Sequence, residues 1–152
     1  MKQTAYKALS LTVGIHFFIM YALVFAPVNE WADVKIISIR SFYMAVIMVA
    51  PMVILMLTFM KDMYQNKRTN IALYFLSVLI FILGFLAIRS QAFVGNKNFI
   101  NSMIPHHSAA ITMCEEANIT DQELATLCEN IIETQQEEIN QMNSILERLN
   151  NK

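Results

Sequence analysis

Residues 42–60 read FYMAVIMVAPMVILMLTFM, a run without one formal charge. It is long enough to cross the apolar core of a bilayer, which takes about 20 mostly apolar residues. Two more runs of this character flank it: 8–26, ALSLTVGIHFFIMYALVFA, and 71–88, IALYFLSVLIFILGFLAI. The whole chain has 152 residues, 56% hydrophobic and only 15% charged, which is too apolar for a soluble domain. Lys2 and Lys7 ahead of the first run resemble the start of a secretory signal. That run is longer than a usual signal core, and Pro27 follows where cleavage would fall, so it reads as a retained span.

Charge placement orients the spans. The N-terminus and the second loop share a side and carry Lys2, Lys7, Lys61, Lys67 and Arg68. The opposite side has Lys35 and Arg40, offset by Glu30 and Asp33, then Arg89 and Lys97. The excess of cations on the first side favours a cytoplasmic N-terminus in a cell inner membrane, with everything beyond Arg89 periplasmic or extracellular. Tyr6, Trp31, Tyr43, Tyr64 and Tyr74 lie near span ends, where amphipathic rings meet headgroups. After residue 98, nine carboxylates face only Arg148 and Lys152. The polar tail is acidic, which argues against nucleic acid as a partner.

The organisation expected is all-α: a three-span membrane domain (1–89), a linker (90–98) and an extramembrane antiparallel helical hairpin (99–152). The hairpin helices are expected over 99–117 and 121–149. Thr120 with Glu123 would form a capping box at the turn, and Ile119 with Leu124 a hydrophobic staple. At about 100° per residue, Leu124, Leu127, Cys128, Ile131, Ile132, Ile139, Met142, Ile145, Leu146 and Leu149 form one apolar stripe, from which Gln135 and Glu138 also project. On the first helix the same reading turns Phe99, Met103, His106, His107, Ala110, Ile111, Met113, Cys114 and Ala117 inward.

Folding the hairpin about residues 119 and 120 brings Cys114 to Cys128, His107 to Gln135, and Met103 to Glu138 and Met142. Imidazole, carboxylate and thioether donors then converge in an apolar seam, a donor set that suits copper as Cu(I) or Cu(II). A packing histidine and gap-filling methionines are the alternative. Cys114 and Cys128 read equally well as a structural disulfide or as thiolate ligands. A second pattern lies in the spans: Met44, Met48, Met52 and Met56 recur at every fourth position, and His16 with Met20 repeats that spacing. It reads as packing methionine or as an intramembrane thioether path for Cu(I), with His16 as the better clue.

The segment FINSMIPHHSAAITMC (99–114), followed by IIETQQEEINQM (131–142), resembles the domain-of-unknown-function 305 family, with its Met-Ile-Pro-His-His block and later Glu-Ile-x-x-Met. The resemblance implies a ferritin-like four-helix fold, of which one hairpin is half, and binding of copper or silver outside the cytoplasm. By position it implicates Met103, His106, His107, Met113, Gln135, Glu138 and Met142. Pro105 is expected to kink the helix beside the histidines.

The function expected is non-enzymatic: capture, buffering or resistance towards copper at the outer face of the membrane. Its partners would be the lipid bilayer, a second copy completing a four-helix bundle and other copper-handling proteins. Two other classes fit less well. A ferritin-like metal oxidase needs several carboxylates and Glu-x-x-His pairs, where only Glu138 faces inward here. A structural or regulatory membrane subunit would use the hairpin to dock on a partner.

Overall fold

Each apolar run forms one helix, and the tail forms two. In the computed structural model, which describes residues 2–151, these are α1 (Lys2–Leu23), α2 (Ile39–Phe59), α3 (Lys67–Arg89), α4 (Asn96–Glu116) and α5 (Gln122–Asn150). No strand occurs among the described residues. Met1 and Lys152, the outer limits of the two expected domains, lie outside the described residues, as does the side chain of Lys2. The first three helices are long and apolar enough to cross a membrane.

The chain divides into two compact units, Met1–Val24 with Arg40–Ala92, and Phe25–Ile39 with Phe93–Lys152. In the first unit Leu9, Val53, Leu57 and Tyr64 form a buried cluster. Tyr6 ties the start of α1 to the α2–α3 turn: its hydroxyl donates to Asn70 Oδ1 at 2.8 Å and accepts from the Asn66 N–H at 3.1 Å. Asn66 caps α3 by accepting from the N–H groups of Arg68 and Thr69. Gly84 permits close helix packing, since a Cβ there would meet Ile47 Cγ1 at 2.9 Å.

The second unit is built around α4, which is buried on two sides. Towards α5, Ile100, Ile104 and Ile111 pack with Ile139, and Ile132, Met142, Ile145, Leu146 and Leu149 complete the seam. The other side holds Ser102, Pro105 and Ser108, all buried. There the segment 25–39 closes over the helix: Ser108 Oγ accepts from the Asn29 N–H at 2.9 Å, Ser38 and Ser102 hydroxyls lie 3.1 Å apart, and Asn101 Nδ2 donates to the Ile37 carbonyl at 2.9 Å.

Three sequence expectations change here. The inward stripe of α4 runs through residues 100, 104, 107 and 111, so Phe99, His106, Met113 and Ala117 are exposed. The β-branched isoleucines fill the seam, and hydrogen-bonded serines allow a second side to be buried, which hydropathy alone does not reveal. Asp121, and not Thr120, caps α5, its side chain accepting from the Leu124 N–H at 2.9 Å. Aspartate is the stronger cap of the two, and with the start shifted by one residue Leu124 of the expected staple is left exposed. Helix α4 continues through Pro105, which is itself buried.

Cys114 and Cys128 are joined in a disulfide across the turn end of the hairpin, with their Cα atoms 5.3 Å apart. Closing that short loop contributes on the order of 3 kcal/mol. Alkylation of the unreduced protein followed by mass spectrometry should leave both cysteines unmodified, and reduction should lower the melting temperature of the hairpin helices. Ile104 is completely buried, whereas Leu127 is half exposed. Ile104→Ala is therefore expected to cost about 2–5 kcal/mol and Leu127→Ala much less, a contrast that thermal unfolding followed by circular dichroism will read.

Candidate metal centre

His107 occupies the α4 seam between Ile104 and Ile111, and one helical turn before it comes Met103. Its side chain is 12% exposed, and Nδ1 lies 3.0 Å from Oε2 of Glu138 on α5. The approach is close but off the line that an N–H···O bond requires, so Nδ1 is sealed from solvent without a hydrogen-bond partner among the described residues. The two atoms are close, but their alignment is not that of a satisfied hydrogen bond. A buried nitrogen in that position costs about 1–3 kcal/mol, a cost that a bound ligand would offset.

Glu138 is half exposed and reaches the seam from its edge. One turn beyond it on α5 stands Met142, half buried and packed on the isoleucine cluster. His107 and Glu138 thus face each other, and Met103 and Met142 each stand one helical turn from them towards the same end of the antiparallel pair, Met103 half-buried and Met142 packed on the seam. The expected register is corrected by one turn: Glu138, not Gln135, meets His107. Gln135 is half buried one turn earlier on α5.

The remaining expected ligands are placed differently. His106 is exposed, its ring centroid 6.0 Å from that of His107. Met113 is 71% exposed on α4 and does not enter the seam. Cys114 and Cys128 are spent in their disulfide, and disulfide sulfurs offer no thiolate to a metal. Among the described residues no three His, Cys, Asp or Glu side chains converge. A metal held by His107 and Glu138 would therefore draw on the thioethers of Met103 and Met142 to complete its shell.

The methionine row of the spans does not share one environment. Met44 and Met48 are exposed on α2, while Met52, Met56, His16 and Met20 are half buried. The cause is geometric: four residues turn a helix by about 400°, so such a row drifts around the axis. Within the first unit an apolar cavity of about 340 Å³ is lined by Val13, Phe17, Val49, Val53, Ser77 and Ile80 among others, and by neither His16 nor any methionine.

Sequence reading missed the support of this site. Asn29 and Ser38 brace α4 from the side opposite α5. Their signal is the recurrence of Ser102, Ser108 and Thr112 on one side of α4, with Thr112 Oγ1 also 3.4 Å from Asn29 Oδ1. Small hydroxyl side chains at such spacing allow a backbone to approach and be satisfied.

Residues 89–152 match the family described as Domain of unknown function (DUF305). An uncharacterized protein of Acanthamoeba polyphaga mimivirus is 39% identical over 135 residues, spanning 84% of this chain and 86% of that protein. No solved structure matches. The hairpin that carries His107, Glu138 and the flanking methionines is the part that the family covers, and the chain belongs to the DUF305 family.

Proposed function

We propose that the protein is a membrane-anchored binder of copper, with silver as the other soft ion its donors suit, and that it captures or buffers the ion on the face of the membrane turned away from the cytoplasm. The observation carrying this reading is the buried His107 Nδ1, unsatisfied beside the Glu138 carboxylate. An imidazole and two thioethers favour copper over hard cations, and one carboxylate among them suits capture without turnover. The ion is cargo, held and passed on to other copper-handling proteins.

Two features support the membrane setting. The segment 25–39 follows the first span and the hairpin follows the third, and three crossings put both on one side; the two form a single compact unit. The Cys114–Cys128 disulfide fits an oxidising compartment outside the cytoplasm. The exposed Met113, Leu124 and Leu127 at the turn end of the hairpin favour a second copy that completes a four-helix bundle.

Copper titration of the full-length protein in detergent tests the site. His107→Ala and Glu138→Gln should each weaken binding at least tenfold, about 1.4 kcal/mol or more, while His106→Ala should cost less. Unchanged affinity in His107→Ala would return this histidine to a packing role. Orientation is read separately. The described residues hold no free cysteine, so Ser144→Cys, at an exposed position of α5, supplies a unique thiol. An impermeant maleimide should label it in intact cells once any outer envelope is opened; labelling only after the span-bearing membrane is broken would reverse the topology.

A further inference from the structure

Three large apolar side chains stand exposed at one end of the hairpin unit: Ile37 at 80%, Phe93 at 86% and Phe99 at 51%. Hydrogen bonds fix where they are. Asn101 Nδ2 holds the Ile37 carbonyl and Ser102 meets Ser38, so Ile37 lies against the second turn of α4. Phe99 is in the first turn of that helix, and Phe93 precedes its first residue by three. All three thus belong to the N-terminal end of α4.

Chain continuity identifies what this end faces. Ile37 is two residues ahead of Ile39, where α2 begins, and Phe93 is four residues past Arg89, where α3 ends. Both stretches of backbone are entering or leaving an apolar span at these points. Cations accompany them: Arg89 and Lys97 flank Phe93, and both are exposed. Exposed apolar side chains next to cations at the ends of apolar helices are the composition that a headgroup layer selects, with apolar groups at the acyl boundary and charges among phosphates.

The backbone adds a second observation. After α3 the chain closes with the Ala92 N–H on the Ala87 carbonyl and the Gln91 N–H on the Ile88 carbonyl, which puts Gln91 in the left-handed region at φ 50°. Phe93 is left-handed as well, at φ 59°. A bulky aromatic rarely takes this conformation, and glycine would make the turn without strain. A strained and almost wholly exposed phenylalanine has a use in the direction it is held.

We infer that Ile37, Phe93 and Phe99 form a foot that seats the hairpin unit in the interfacial layer of a bilayer containing anionic lipid. This rests on the reading that the three apolar helices span that bilayer. The foot fixes the metal-binding hairpin against the lipid surface, with His107 about 16 Å along α4 from its first residue, Asn96.

Trp31 is the one tryptophan in the sequence, so a Trp31→Phe background gives clean single-tryptophan reporters. The full-length protein is reconstituted in vesicles of phosphatidylcholine and phosphatidylglycerol, with lipid brominated high on the acyl chains. Ile37→Trp and Phe93→Trp should be quenched by the brominated lipid and be several-fold less accessible to acrylamide than Leu127→Trp at the far end of the hairpin. Leu79→Trp within α3 reports insertion of the spans. Acrylamide access at Ile37→Trp and Phe93→Trp equal to that at Leu127→Trp, with Leu79→Trp quenched by lipid, overturns the foot and leaves the membrane reading standing. Failure of lipid to quench Leu79→Trp overturns both. Shielding of Ile37→Trp and Phe93→Trp that requires high protein-to-lipid ratio and occurs without lipid quenching assigns the face to a second copy and also overturns the foot. Retention of the Cys114–Cys128 disulfide in each variant verifies that the hairpin has folded.

Discussion

The hydrogen bond from the Asn29 N–H to Ser108 Oγ decides how the extramembrane unit is built, because Ser108 has no exposed surface at all. A buried hydroxyl without partners would cost more than a hydrogen bond returns, and the arriving backbone N–H of Asn29 gives Ser108 a partner on the side that α4 buries. Once 25–39 is in place, α4 becomes the centre of three layers, with that segment on one flank and α5 on the other. The isoleucine seam can then be narrow. It needs only residues 100, 104 and 111 from α4, and it leaves one seam position for an imidazole.

At that position packing competes with the binding proposed for it. His107 lies in a seam of isoleucines, and its Nδ1 forgoes the hydrogen bond that burial ordinarily demands. The neighbouring carboxylate is half solvated at the seam edge, where it avoids most of the cost of burial and still reaches within 3.0 Å of the ring. The thioethers of Met103 and Met142 tolerate this mixed environment because they are apolar enough to pack and polarizable enough to ligate.

Much of this is legible in the sequence, for identifiable reasons. The apolar helices declare themselves by the absence of charge over residues 8–26, 42–60 and 71–88: α3 contains its whole run, α2 all but Met60, and α1 stops three residues short at Leu23. The hairpin follows from the turn at residues 117–121, and proximity of Cys114 to Cys128 follows from folding about it. The rotation of α4 was not legible from hydropathy, since Ser102 and Ser108 score as polar and yet are buried. That rotation moved His106 and Met113 outward, while the seam register brought Glu138 to His107 in place of Gln135. The role of 25–39 lay hidden because its partners are nearly 80 residues distant: Asn29 and Ser108 are separated by 79 positions.

This separation bears on how the protein is made. Residues 25–39 leave the ribosome long before α4 exists, and the whole of α2 and α3 is made between them. This second unit is discontinuous in the chain, so it cannot fold as a local element. The α4–α5 hairpin can form from neighbouring sequence alone, but its serine-bearing side stays wet until 25–39 packs on it. On the proposed membrane reading, insertion of both α2 and α3 is thereby a precondition for closing this unit, because a chain lacking one of the two crossings would keep Asn29 and Ser108 on opposite faces.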